Sequence, residues 1–278
     1  MNLEPIQRLS RDLAAASATM TPDEARYLVD AYYTMQDYRI AVNGQCRALG
    51  DRAEPHSILL WLAENESTLE NQIKRALDKY TDGHPLGRWA KSITGIGPVI
   101  SAGLLAHIDI EKINNAHNIW SFAGLDPART WNKGEKRPWN AKLKTLCWKI
   151  GESFVKVSGN ENDFYGKWYR RRKDIEAHSN AQGLYAAQAA AKLDKFKIGK
   201  STEAYKAYSI GQLPPAHIHA RARRWAVKLF LSHYYEVGRE IAGLPVVRPY
   251  AFNVLRHDET SFVPAPNWPM IEAKGKAA

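Results

Sequence analysis

The sequence predicts an all-α protein. A helix-hairpin-helix-containing helical domain is preceded by long paired helices and followed by an irregular C-terminal strap. Three observations predict this. Apolar residues recur at helical spacing between Ala25 and Val42, between Ile58 and Leu77, and between Ile218 and Phe230. Strong helix starts are written into the chain, the clearest being Thr21-Pro22-Asp23-Glu24: a cap residue, proline at the first helical position, then acids in the first turn. Finally, Ile93-Thr94-Gly95-Ile96-Gly97-Pro98 joins a short helical stretch to Val99, Ala102, Leu105 and Ala106, which follow at helical spacing.

In chain order, residues 1–20 read as a short helix or arm. The first long helix runs from Thr21 to about Ala48, where Gly50-Asp51 breaks it, and the second runs from Pro55 to about Tyr80. Ile58, Leu59, Trp61, Leu62, Leu69, Ile73 and Leu77 give the second helix most of an apolar stripe, with Glu64, Glu66, Glu70, Lys74 and Arg75 around it. The two helices read either as an antiparallel pair or as a coiled-coil contact with a second copy of the chain, so residues 1–82 form a candidate oligomerisation region. Asp82-Gly83-His84-Pro85 is a turn, and Leu86 to Ser92 is the first helix of the hairpin. A loop from Asn114 leads into a helix at Trp120, and Asp126-Pro127 ends the aromatic and small-residue run Trp120-Ser121-Phe122-Ala123-Gly124-Leu125. Ala141 to Val157 is helical, with Leu143, Leu146, Cys147, Ile150 and Phe154 on its apolar face. Another helix starts around Asn162-Asp163-Phe164-Tyr165. Residues 180–216 are a variable excursion containing an Ala-rich helix former, Tyr185 to Leu193. A last long helix runs from Ala216 to Ile241 and closes a domain over residues 83–245. The tail, residues 246–278, carries Pro249, Pro264, Pro266 and Pro269 and reads as an extended strap.

Composition bounds the function. The 278 residues are 45% hydrophobic, enough for a sizeable core. The formal net charge of +10, from 39 Lys plus Arg against 29 Asp plus Glu, favours an anionic partner. Two cysteines, Cys46 and Cys147, give neither a disulfide framework nor zinc-ligand spacing, and fit a reducing cytoplasm. No stretch has the length and apolarity of a signal segment or a bilayer span.

Gly95 and Gly97 allow a tight turn whose amides approach a phosphate at the positive end of the following helix. The competing reading is a packed turn between core helices. Residues 128–145 carry Arg129, Lys133, Lys136, Arg137, Lys142 and Lys144 against Glu135 alone, with Trp131 and Trp139 between them. Such cations neutralise phosphate, and the indoles can stack on unpaired bases. A solvated loop with its tryptophans tucked into the core is the alternative. Arg170 and Arg171, in the basic run Tyr165 to Lys173, read equally as phosphate contacts or as a solvated helix face. Cys147 is read as core, and His217, His219 and His233 lack the spacing for a metal site on one helix. Asp109, Glu111 and Asp126 are candidate acids without a spacing that converges for two-metal chemistry. There is no nucleotide-binding glycine loop, H-E-x-x-H or G-x-S-x-G, so no metal and no cofactor is expected.

Ile93 to Ile108, then Trp120 to Pro127, then the basic Lys133 to Lys144 segment resemble the C-terminal domain of the bridge-RNA-guided insertion-sequence transposases of the DEDD-plus-serine type. The resemblance extends over roughly residues 55–245 and is most specific where the Gly-Ile-Gly hairpin is coupled to Ala-Gly-Leu-x-Pro. It implies a scaffold that grips DNA and, in that family, a serine nucleophile shortly after the Gly-Leu-x-Pro segment together with a RuvC-like domain carrying four acidic residues. This sequence departs twice. The residues before Thr21 leave no room for the RuvC-like domain, and Ala128-Arg129-Thr130-Trp131-Asn132-Lys133-Gly134 contains no serine. Thr130 is the one hydroxyl in that loop, and threonine needs an activating base.

The leading expectation is therefore a nucleic-acid-binding protein, non-sequence-specific or guide-dependent, lacking complete recombinase chemistry. DNA is the first partner expected and RNA the second, in a mobile element or a phage. Two alternatives remain: an active strand-transfer component working with a separate nuclease, and a structural oligomer, a homodimer in its simplest form.

Overall fold

A computed structural model describes residues 10–50, 54–247 and 262–270. All regular structure among them is helical, with no strand. The helices are α1 (Arg11–Ala16), α2 (Pro22–Gly50), α3 (Ser57–Asp82), α4 (Pro85–Ser92), α5 (Pro98–His107), α6 (Ala116–Phe122), α7 (Ala141–Lys156), α8 (Tyr165–Ala181), α9 (Ala186–Lys195), α10 (Glu203–Ser209) and α11 (Pro215–Ile241). No helix among the described residues is long and apolar enough to cross a membrane.

Local sequence sets the starts. Thr21 and Glu24 form a reciprocal capping box at α2: Glu24 Oε2 accepts from the Thr21 amide at 2.7 Å, and Thr21 Oγ1 accepts from the Glu24 amide at 3.3 Å. Asn115 caps α6 and Asn140 caps α7, each accepting a backbone N–H at 3.0 Å. Proline occupies the first position of α4, α5 and α11, where its missing N–H costs no helical bond.

Packing assembles two main cores. Ala25, Val29, Leu77 and Tyr80 bury one end of the α2–α3 pair against Val99, Ala102 and Ala106 of α5. The other face of α5 joins α4, α6, α7, α8 and α11 around Trp89, Phe154, Tyr165, Phe230 and Tyr234. Trp89 lies parallel to Phe230 with ring centroids 6.0 Å apart, and Phe154 stacks on Tyr165 at 4.8 Å. Helix α5 is thus apolar on both sides, which is why its sequence shows no polar face. A charged residue departs from the expected pattern on α3. Glu70, read from its position as part of the polar surround, is buried and accepts from Arg39 Nε of α2 at 2.6 Å, tying the long pair together.

Residues 180–216 are ordered more than the excursion expected of them. Helices α9 and α10 pack through Ala189 and Tyr208, with Leu213 of the following loop, onto Ile218 of α11. Residues 262–270 lie without regular structure across the main core: Trp89 Nε1 donates to the Pro266 carbonyl at 2.9 Å, and Asn267 donates to the Ser92 carbonyl at 3.0 Å. The remainder of the tail, and residues 1–9, lie outside the described residues.

Candidate nucleic-acid interface

The basic loop leaves α6 through a left-handed glycine. Gly124 has φ +64°, and a Cβ there would meet Trp139 at 2.8 Å, so the turn requires glycine for both its dihedral and its space. Asp126 then fixes the corner. It accepts from the Ala128 amide at 3.0 Å and the Ser121 hydroxyl at 2.9 Å. The Ala128 bond, then Ser121 and the nearby His117 and Lys228, hold its carboxyl below the usual aspartate range. Ser121, His117 and Asp126 therefore meet, but one carboxylate oxygen faces both partners, an arrangement that braces the turn. Further on, Asn132 and Glu135 close a small turn, and Trp131 Nε1 donates to the Glu135 carbonyl at 2.7 Å. Arg129, Thr130, Lys133, Lys136 and Arg137 are exposed on this knob. The loop returns to α7 with its indoles under cations: Arg137 lies 4.9 Å from the Trp131 ring, and Lys144 lies 4.1 Å from the Trp139 ring.

The surface is completed by a helix distant in sequence. Arg221, Arg224, Trp225 and Lys228 share one stripe of α11, spaced three and four apart. Burial, then Arg137 and Arg224, push the Lys144 ammonium below its usual value. Burial, with Arg224, pushes Lys228 down against the opposing pull of Asp126, and its Nζ lies 5.2 Å from the Trp120 ring. Arg223 sits beside the exposed Trp148 and pairs with Glu152. Arg137, Lys144 and Arg224 make no ion pair with a carboxylate among the described residues. Like charges crowded in this way favour a polyanion over an empty surface.

A family model supplies context for this geometry. Residues 88–137 match the transposase family IS116/IS110/IS902. The match runs from within α4 through the Gly-Ile-Gly turn, α5 and α6 to Arg137, a share well below half of the chain. No curated protein and no solved structure matches the sequence. Lys142, Lys144, Arg224 and Lys228 lie beyond the transposase-like segment, so the cationic surface straddles its end.

Within that segment, the two glycines of the hairpin differ. Gly95 has φ +96° and is packed: a Cβ would meet Ser153 Oγ and Val157 of α7 at 3.2 Å, and its carbonyl accepts from Ser153. Gly97 is exposed, and a Cβ there would meet nothing within 4 Å. The amides of Gly97, Val99 and Ile100 make no hydrogen bond among the described residues, leaving an open N-terminal turn on α5. This turn sits beside Ser153 near one end of α7, whereas the basic loop enters at Ala141. Twelve residues separate them, about 18 Å of helical rise. The hairpin tip and the loop are therefore two features, not one continuous patch.

The remaining sequence candidates divide in the same way. Lys142 pairs with Asp30 of α2 at 3.1 Å, and Arg170 lies 3.4 Å from the buried Asp163. Arg171 is exposed and stacks 5.1 Å from the Trp168 ring. Thr130 is exposed, and no side-chain base bonds its hydroxyl among the described residues. Cys147 is buried, which pushes its thiol up to about 12 and leaves it an inert core residue. The three α11 histidines each meet a tyrosine hydroxyl: Tyr165 with His233 at 2.7 Å, Tyr169 with His219 at 2.8 Å and Tyr208 with His217 at 3.3 Å. Among the described residues no group of three or more His, Cys, Asp and Glu is arranged to hold a metal ion.

Sequence reasoning missed Arg224 and Lys228. Their i,i+4 spacing was visible, but only the packing of α11 against α6 and α7 brings them to Lys144 and Trp120.

Proposed function

We propose that the protein binds nucleic acid through the surface built from the 129–144 loop and the outward stripe of α11. In this reading it is a transposase-related binding domain without complete recombinase chemistry, working in a mobile element or a phage. The observation that carries the proposal is the run of cations set on indoles: Arg137 4.9 Å from the Trp131 ring, Lys144 Nζ 4.1 Å from the Trp139 ring and Lys228 Nζ 5.2 Å from the Trp120 ring, with Arg224 on the same α11 stripe as Lys228. Their chemistry suits phosphate and carries no base code, so binding is non-sequence-specific unless a guide supplies the sequence. DNA is the first polymer to test and RNA the second. The exposed N-terminal turn of α5 at Gly97 is a separate phosphate contact on the same chain.

Fluorescence anisotropy with a labelled random-sequence duplex, titrated across salt, tests this. Each phosphate contact contributes a slope of about −0.9 in log K against log salt. Arg137→Glu combined with Arg224→Glu is expected to weaken binding at least about tenfold at low salt and to flatten the slope by about two. Unchanged affinity and slope sink the proposal.

A second property, self-association, has its own observation. Away from α5, the α2–α3 pair exposes Tyr38, Ile40, Ile58, Leu60 and Trp61. Scattered surface apolar residues are ordinary, but seven on one helix pair, counting Tyr27 and Leu49, suit a second copy. Ile58→Glu with Leu60→Glu is expected to convert a sedimenting dimer to monomer. A wild-type chain that sediments as a monomer at high micromolar concentration removes this part of the proposal.

A further inference from the structure

A groove of about 390 Å³ opens between α8 and α11, within the size range of ligand sites, about 300–1,000 Å³. Its walls are Trp168, Trp225 and Phe164, its rim is Arg171 and Arg172, and residues 262–264 close one side. Among the described residues no acidic side chain lines it. The two indoles stand with ring centroids 5.9 Å apart and their planes at 41°. Arg171 lies 5.1 Å from the Trp168 ring and Arg172 lies 5.7 Å from the Trp225 ring.

The two arginines are held differently. Glu176, buried between α8 and α11, accepts from Arg172 at 2.6 and 2.9 Å and from Arg221 at 2.6 Å. Arg172 is thereby fixed in place. Arg171 is exposed and pairs with no carboxylate among the described residues. The groove thus offers an aromatic wedge, one positioned guanidinium and one unneutralised guanidinium. Arg221 and Arg224 continue the cationic stripe of α11 directly from Trp225.

We infer that this groove takes one unpaired nucleotide of a single strand. The indoles of Trp168 and Trp225 receive the base, and Arg171 with Arg172 take the flanking phosphates. The chemistry selects this occupant. Every nucleobase has a π-face, so stacking on tryptophan is tolerant of sequence, and arginine serves both the ring and the phosphate. A base inside a duplex is already stacked and cannot enter without being extruded. An apolar peptide would use the wedge but leave Arg171 without a purpose. The site rests on the nucleic-acid reading above and adds a strand preference to it.

The test uses the full chain and labelled oligonucleotides: a thymidine 15-mer and a duplex of the same length. Arg171→Glu and, independently, Trp168→Ala are expected to weaken single-strand binding about tenfold, the scale of one lost base stack, while duplex affinity stays within about twofold. Trp168→Phe, which keeps a stacking face, is expected to retain most of the affinity. Arg171→Glu lies on an exposed side chain, so its loss does not depend on refolding the core. Equal losses for both strands, or no loss for the single strand with Arg171→Glu, overturn the site while leaving the broader binding intact. Failure of the unaltered chain to bind either strand overturns both. AMP is the probe for a free-nucleotide source: displacement of the 15-mer only at millimolar AMP supports a strand ligand, and displacement at micromolar AMP overturns it.

Discussion

Gly95 and Gly97 stand two residues apart and have opposite physical reasons to be glycine. Gly95 holds a positive φ in a tight place under α7, where a side chain meets both a strained dihedral and Ser153. Gly95→Ala is expected to cost about 1–3 kcal/mol, measured as a shift in urea midpoint at constant slope. Gly97 has φ −92°, extended ψ and open space. Gly97→Ala is expected to change stability by less than about 1 kcal/mol. If the α5 turn holds phosphate, a larger side chain at 97 lowers nucleic-acid affinity without unfolding the protein. Normal affinity in a well-folded Gly97→Val variant removes the turn from the interface. The Gly-x-Gly pattern was legible in the sequence, but which glycine faces solvent was not, because that depends on Ser153 and Val157, far away in the chain.

Among the elements, α8 shows how one residue can serve the fold and disguise itself as part of a charged surface. Asp163 is buried and accepts the amides of Gly166 and Lys167 at 2.5 and 3.1 Å, capping the helix. Its other oxygen faces Arg170. Asp163→Ala is expected to destabilise by about 0.5–2 kcal/mol from the lost cap. Asp163→Asn keeps an acceptor and is expected to lose less. Thermal melts of the two variants decide between capping and ion pairing as the dominant role. Helix bounds themselves were largely visible in sequence. Thr21, Asn140 and Pro215 are local signals whose partners lie within the next turn. Helices α9 and α10 were less legible, because what orders them is contact with Ile218 beyond a proline pair.

For the whole molecule, two couplings follow from the packing. Helix α5 contributes to both main cores, so the long pair and the remaining helices are expected to unfold together. Coincident urea transitions by far-ultraviolet circular dichroism and tryptophan fluorescence check this, and separated transitions show residues 1–82 to be an independent unit. The second coupling runs through His233. Its Nδ1 accepts from Tyr165, and its Nε2 N–H donates to the Val263 carbonyl of the strap at 2.8 Å. Burial pushes its imidazole down to about 4, so the folded state holds it neutral. The folded value is depressed below the unfolded one, about 6.5, so this stability is fully present above pH 6.5 and declines as pH falls toward 4. The expected loss is on the order of 3 kcal/mol between pH 7 and pH 4. His233→Gln is expected to lower stability at pH 7 and flatten its pH dependence over that window, read from denaturant midpoints.

The sequence by itself determined the helical class, most helix starts, the Gly-Ile-Gly turn between α4 and α5 and the excess of positive charge. These rest on periodicity, capping and composition, which act within a few residues or over the whole chain. It also carried the transposase resemblance, of which the family match supports the segment 88–137. Only the tertiary structure decided which cations stand together. Lys142 and Arg170 are answered by Asp30 and Asp163, whereas Lys144 feels the like charge of Arg224 from a helix distant in sequence. The physical reason is that charge is counted along a chain but felt through space. A basic residue becomes part of a surface or half of an ion pair according to what the packing of α7, α8 and α11 sets beside it.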